Sequence, residues 1–114
     1  MKSAYSLILA SLTGSAFAAT GDVLALTDAN FVEEMANIDL TLVKFYAPWC
    51  GHCKRMVPEM DKAAKILAEN DPPVPLVKVD CTIHAKICGE YEVSGYPSLK
   101  IFRNGVKVSD YRKL

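Results

Sequence analysis

The sequence carries no surplus of either charge: thirteen lysines and arginines face thirteen aspartates and glutamates, for a formal net charge of zero. Nothing electrostatic therefore points to nucleic acid, an anionic membrane or an acidic substrate. Histidine occurs twice and cysteine four times, which leaves few ways to build a nitrogen-and-sulfur metal site. Internal repeats and low-complexity tracts are missing, and 114 residues give room for one domain and no more. Beyond the first segment, charged residues interrupt every apolar run. No later stretch reaches the roughly 20 apolar residues that a membrane-spanning helix needs.

What is present begins with a leader. Lys2 supplies a short positive start, Leu7 to Leu12 an apolar stretch, and Ala16-Phe17-Ala18 fits the small-x-small cleavage rule. An N-terminal membrane anchor is the alternative, but the apolar run is short and is broken by Ser11, Thr13 and Gly14. The expectation is a signal peptide over residues 1–18 and one domain over residues 19–114, in a compartment where disulfides persist. Hydrophobic residues make up 51% of the chain, enough for an ordinary packed core.

Strand and helix patterns then alternate. Asp22 to Leu26 reads as a short strand, and Thr27 or Asp28 can cap a helix running to about Met35, with Phe31, Val32 and Met35 on one face. Leu40 to Ala47 is nearly continuously apolar, as a central strand covered on both sides should be, apart from Lys44. A long helix is expected from Cys50 to about Glu69. Cys53, Met56, Val57, Met60, Ala64 and Leu67 would form its buried stripe, with a kink at Pro58. Asn70-Asp71-Pro72-Pro73 stops it. Pro75 to Asp80 forms another strand and Ile83 to Tyr91 a short helix. Leu99 to Phe102 and Val106 to Val108 flank Asn104-Gly105, a strong hairpin signal. The order β-α-β-α-β-α-β-β implies an α/β layered sheet.

The chemistry concentrates in Ala47-Pro48-Trp49-Cys50-Gly51-His52-Cys53. Two cysteines separated by two residues at a strand-to-helix junction make a redox dithiol. The thiolate is the attacking species, and a helix N-terminus stabilises an anion. Cys50 sits at that end, with Cys53 one turn on beneath it. Cys50 would attack a substrate disulfide and Cys53 would resolve the mixed disulfide. His52, between them, can add positive charge. A stabilised thiolate favours the reduced dithiol and makes the disulfide form a better donor. Two other uses of the motif stay open. It is half a zinc site, although Cys81 and Cys88 have six residues between them and His52 and His84 would need unusual geometry. It could also be a closed structural disulfide, a strained one in so short a loop.

The motif, with Lys54 and Pro58 following it, resembles the active site of a catalytic domain of the protein disulfide isomerase family. Lys78-Val79-Asp80-Cys81-Thr82 and Val93 to Gly105 resemble the same family further along. The likeness is to first domains of the ERp57-type branch and covers essentially the whole chain after the leader. It implies a thioredoxin fold and thiol–disulfide exchange with cysteine-containing client proteins, without a metal or other cofactor. It assigns Cys50 as nucleophile and Cys53 as resolving thiol, with Gly51 and His52 between them. Trp49, Tyr96 and Pro97 would meet the substrate, Pro97 as a cis-proline facing the sulfurs. Cys81 and Cys88 match a structural disulfide of that branch, two buried free thiols being the alternative.

Two departures stand out. Lys44 occupies a position where the family usually has a buried acid credited with taking the proton of the second cysteine. Lys78 would lie beside it, and Lys44 is expected to snorkel outward to water or, if neutral, to act as the base itself. The family also continues past the last strand into a loop arginine and a closing helix. This sequence ends at Arg112-Lys113-Leu114. A thioredoxin fold lacking its final helix is therefore expected, with one sheet face uncovered and low stability. A partner could cover that face. No Lys-Asp-Glu-Leu type signal closes the sequence, so the expected location is the endoplasmic reticulum lumen or outside the cell. The rival to an enzyme is a weakly active, chaperone-like module that binds clients. A thioredoxin-like reductant is a third option, disfavoured by Gly51-His52 between the cysteines.

Overall fold

Alternation along the central strand sets the layers of the fold. In the computed structural model, which describes residues 19–111, this strand is β2, Leu40–Tyr46. The expected leader and its boundary lie outside the described residues. Successive side chains of β2 point to opposite faces of the sheet. Val43 and Phe45 pack with Phe31 and Met35 of α1 (Phe31–Met35) and with Ile87 and Cys88 of α3 (Ala85–Glu90). Leu42, on the other face, packs with Met60 and Ala64 of α2 (Gly51–Ala68). Helices thus lie on both sides, as the apolar run predicts.

The sheet has five strands in the order β1-β3-β2-β4-β5. β1 (Leu24–Leu26) and β2 both run parallel to β3 (Leu76–Asp80). β4 (Ser98–Arg103) and β5 (Val106–Asp110) add an antiparallel hairpin. Asn104 and Gly105 take φ values of 53° and 82° at its turn, the positive values that Asn-Gly tolerates. This is a thioredoxin fold, with the element order expected from the sequence.

The larger core is aromatic at its centre. The Phe31 ring lies 5.7 Å from Tyr91, 5.8 Å from Phe102 and 6.4 Å from Phe45, centroid to centroid. Two expected core residues are instead outside it. Val32 is 71% exposed, because so short a helix buries only the ridge that joins Phe31 to Met35. Val57 is 44% exposed, at the border of the α2 stripe that Met60 and Ala64 centre. α2 is one continuous helix from Gly51 to Ala68 with Pro58 inside it. The proline costs it the amide that would have bonded the Lys54 carbonyl.

Of the two caps the sequence offers for α1, Thr27 serves: its Oγ1 accepts from the Asn30 amide at 3.3 Å and its carbonyl from the Phe31 amide at 2.9 Å. α1 begins after Asn30, whose side chain accepts from the amide and hydroxyl of Thr27 at 2.8 and 3.0 Å. Asp28 serves another helix. Its carboxylate accepts from the Ile87 amide in the first turn of α3 at 2.9 Å, and its own amide donates to His84 Nδ1 at 3.3 Å. Beside α2, an apolar groove of about 240 Å³ is lined by Leu40, Leu42, Ala63, Leu67, Ile101 and Tyr111. No helix among the described residues is long and apolar enough to cross a membrane.

Lys44 does not snorkel. It is 2% exposed, pairs in register with Lys78 on β3, and its Nζ lies 5.1 Å from the Tyr46 ring centroid. It lies between β3 and β4 on the Leu42 face of β2, the face against which α2 packs. Burial, and then the charge of Lys78, push its pKa below the ordinary value of 10.5.

Two consequences can be measured. Phe31→Ala is expected to cost about 3–5 kcal/mol of stability in urea unfolding; a loss under about 1 kcal/mol would mean that the aromatic cluster does not hold α1 to the sheet. Lys44→Met should stabilise the protein, because it removes a charge buried without an opposite partner. Below the folded-state pKa both folded and unfolded chains hold the Lys44 proton, and the folded state bears the full penalty. Between that value and 10.5 the unfolded chain holds a proton the folded chain has lost, so the penalty fades as pH rises. The stability gap between Lys44→Met and wild type should be largest near about pH 6 and narrow toward about pH 9.5. A gap that widens over that range would refute the burial of an uncompensated charge.

Candidate active site

A helix start that must follow a strand directly needs an acceptor for its first amides. At the end of β2 that acceptor is sulfur. Cys50 takes extended backbone angles (φ −76°, ψ 124°), and its Sγ accepts from the Cys53 amide at 3.3 Å while its carbonyl accepts from the Lys54 amide at 3.0 Å. The loop is closed on the strand side by the Cys50 amide, which donates to the Ala47 carbonyl at 3.1 Å. Ala47, Cys50 and Cys53 form a small buried cluster against Tyr46 and Tyr96.

The two thiols are both free but sit in different surroundings. Cys50 lies at the edge of the surface, 9% exposed, and its thiol donates to the Tyr96 carbonyl at 3.6 Å. The hydrogen bond from the Cys53 thiol lowers the Cys50 pKa first. Burial, the next largest effect, opposes it, and the amides of Cys53 and His52 and then the charge of Arg55 add to the lowering. Cys53 is 2% exposed, and burial, followed by its bond to Cys50, pushes its pKa up; the Ala47 backbone and the charge of Lys44 pull the other way. One helical turn therefore separates a thiol biased toward thiolate from one biased toward the protonated form.

The remaining predicted site residues fall into two places. Gly51 and His52 occupy the exposed first turn of α2. Trp49 is 68% exposed with its ring edge-on to Tyr96, centroids 5.8 Å apart. The Tyr96–Pro97 peptide bond is cis, and Tyr96 turns its carbonyl to the Cys50 sulfur. These seven positions surround one patch of surface. Cys81 and Cys88 do not join it. They form a disulfide, Cα atoms 5.7 Å apart, between the end of β3 and α3 in the larger core. Among the described residues, no three histidine, cysteine or carboxylate side chains gather as a metal site, and His84 is engaged with the Asp28 amide.

Two contributors were not singled out from the sequence. Ala47 supplies the carbonyl that seats Cys50, and nothing in an alanine's chemistry advertises that use. Arg55 donates to His52 Nδ1 at 2.9 Å, and its spacing of three from His52 on a helix was the available signal.

Comparison with known proteins agrees with this geometry. The sequence model of the thioredoxin family matches residues 22–113. The probable protein disulfide-isomerase ER-60 of Schistosoma mansoni is 55% identical over 96 residues, which are 84% of this chain and 20% of that protein. Protein disulfide-isomerase A4 of Mus musculus is 55% identical over 82 residues, 72% of this chain and 13% of that protein. The chain thus spans about one fifth or less of the length of these curated relatives. The solution structure of the first thioredoxin domain of mouse protein disulfide-isomerase A4 superposes with a TM-score of 0.74 at 44% identity. It covers 82% of this chain and 66% of that one. With most of its described residues inside the family match and its sheet order and dithiol in place, the chain belongs to the thioredoxin family.

Proposed function

We propose that this domain is a thiol–disulfide oxidoreductase and isomerase acting on cysteine-containing client proteins of the secretory pathway. The observation that carries the reading is the asymmetry of the dithiol: the Cys50 pKa is lowered at the surface and the Cys53 pKa raised one turn beneath it. The first attack needs the thiolate that a lowered Cys50 pKa favours, and a raised Cys53 pKa keeps the second thiol protonated and out of that attack. The Cys50 thiolate attacks one sulfur of a client disulfide. A Cys50–client disulfide forms, and the other client sulfur leaves as a thiolate. The Cys53 thiol loses its proton and attacks Cys50 Sγ, which closes the Cys50–Cys53 disulfide and releases the second client sulfur. The client has gained two electrons and, from solvent and Cys53, two protons; the dithiol has been oxidised by two. Run in reverse, the same steps oxidise a client, and release followed by renewed attack rearranges one.

The surroundings of Cys50 favour an extended polypeptide as substrate. The sulfur opens onto a surface rimmed by exposed Trp49 and half-buried Tyr96 and Pro97. The polar cleft of about 380 Å³ beyond Pro97, lined by Ser94, Ser98 and the Lys100–Asp110 ion pair, does not include it. Relatives named as disulfide isomerases support the same reaction. The leader read in residues 1–18 would carry the domain into the secretory pathway, to the endoplasmic reticulum lumen or outside the cell.

Refolding of scrambled ribonuclease tests the proposal. The wild-type domain should accelerate recovery of ribonuclease activity, Cys50→Ser should abolish this, and Cys53→Ser should accumulate mixed disulfides that turn over slowly. Acceleration that survives both substitutions would replace the enzyme with a client-binding module.

A further inference from the structure

The pairing at the first turn of α2 gives a use to a side chain that the exchange cycle leaves without one. His52 and Arg55 stand three apart on the exposed face of the helix, and Arg55 Nη2 lies 2.9 Å from His52 Nδ1. A guanidinium has only donors, so Nδ1 is the acceptor and the ring proton sits on Nε2. An imidazolium has no lone pair to offer and could not keep this bond. The guanidinium also lies close to the helix start: a Cβ built on Gly51 would be 3.6 Å from Arg55 Nη1.

We propose that Arg55 is a positioning residue for the dithiol, one that fixes the His52 ring with its proton on Nε2 and supplies the lasting positive charge that Cys50 faces. The inference rests on Cys50 being the attacking thiol. The charge that the sequence alone would assign to His52 is thereby moved to a group that stays protonated at every working pH. Cys50 then keeps its thiolate bias across the pH range in which an imidazole would gain and lose charge. Arg55 makes the smallest of the contributions that lower the Cys50 pKa, after the Cys53 thiol and the two amides. The other groups that act on Cys50 are the Cys53 thiol and amide and the His52 amide. Lys44, from β2, acts on Cys53, and Lys78 and Asp61 act on Lys44. Of the groups that act on Cys50, Arg55 carries the permanent charge.

The rate of Cys50 alkylation by iodoacetamide, followed against pH by mass spectrometry in the reduced full chain, tests this without a client. In Arg55→Met the midpoint of the profile should move up, and the rate near about pH 6 should fall roughly three- to tenfold, while the high-pH plateau does not drop. Arg55→Lys should recover most of the rate, since it restores the charge. It should lose the Nε2–H signature of His52 in ring-nitrogen NMR, because an ammonium is not held flat against the ring. An unmoved midpoint in Arg55→Met, or a fall of equal size at every pH, would overturn the proposal, the latter by showing damage to the helix start alone. Should Cys53 rather than Cys50 react first in the wild type, the proposed exchange cycle fails instead, and does so whatever Arg55 does.

Discussion

The helix N-terminus at the end of β2 is the constraint on which the site depends. The first amides of any α-helix lack partners within it and must find an acceptor. Here the chain leaves a central strand and enters a long helix within four residues, with Cys50 as the turning point. The sulfur that fills the capping role for the Cys53 amide is the same atom that would carry negative charge as a thiolate. Structural need and chemical bias thus fall on one side chain. Removing the sulfur would take away both the nucleophile and an acceptor that the helix start uses. Seating the cap is the work of neighbours with no chemistry of their own: the Ala47 carbonyl on the strand side and the Tyr96 carbonyl across from it.

Beneath this surface the sheet carries a cost. Central strands covered on both faces are normally apolar throughout, yet β2 and β3 place Lys44 and Lys78 in register on the face that α2 covers. Charge repulsion and desolvation act together there, and Cys53 is the buried group on which Lys44 exerts an attractive effect. Stability and redox chemistry are linked through that contact. The deprotonated resolving thiol and the buried lysine each make the other's charged form less costly.

Much of the fold was legible because it follows local rules. Strand β2 announced itself by its apolar run, the hairpin by Asn104-Gly105, and α2 by the periodicity of Cys53, Met60 and Ala64. The site was legible for a similar reason: its seven positions lie in two short stretches, around Cys50 and around Pro97, each with its own motif. Failures came where the deciding partner is distant in sequence. Val32 and Val57 are apolar residues that helical spacing alone could not send outward. Lys44 was expected to reach water because two facing lysines in a low-dielectric site are unfavourable; that it stays buried on the face where α2 packs is a fact of tertiary structure. Asp28 looked like a cap for the helix next to it because the Ile87 amide, 59 residues on, is invisible to local reading.

That last exchange has a consequence for the order in which the protein can assemble. α3 has six residues and no side-chain cap from its own segment; isolated helices of that length are marginal in water. Its acceptor comes from Asp28, and Asp28 in return takes the His84 ring as a partner for its own amide. Neither group is satisfied until two segments on opposite sides of β2 and α2 in the sequence have met. Contacts of such long span are made only after the cost of closing the intervening chain has been met. α3 is therefore a late element whose persistence reports on the whole sheet, and its amides should open to exchange only as the fold itself opens.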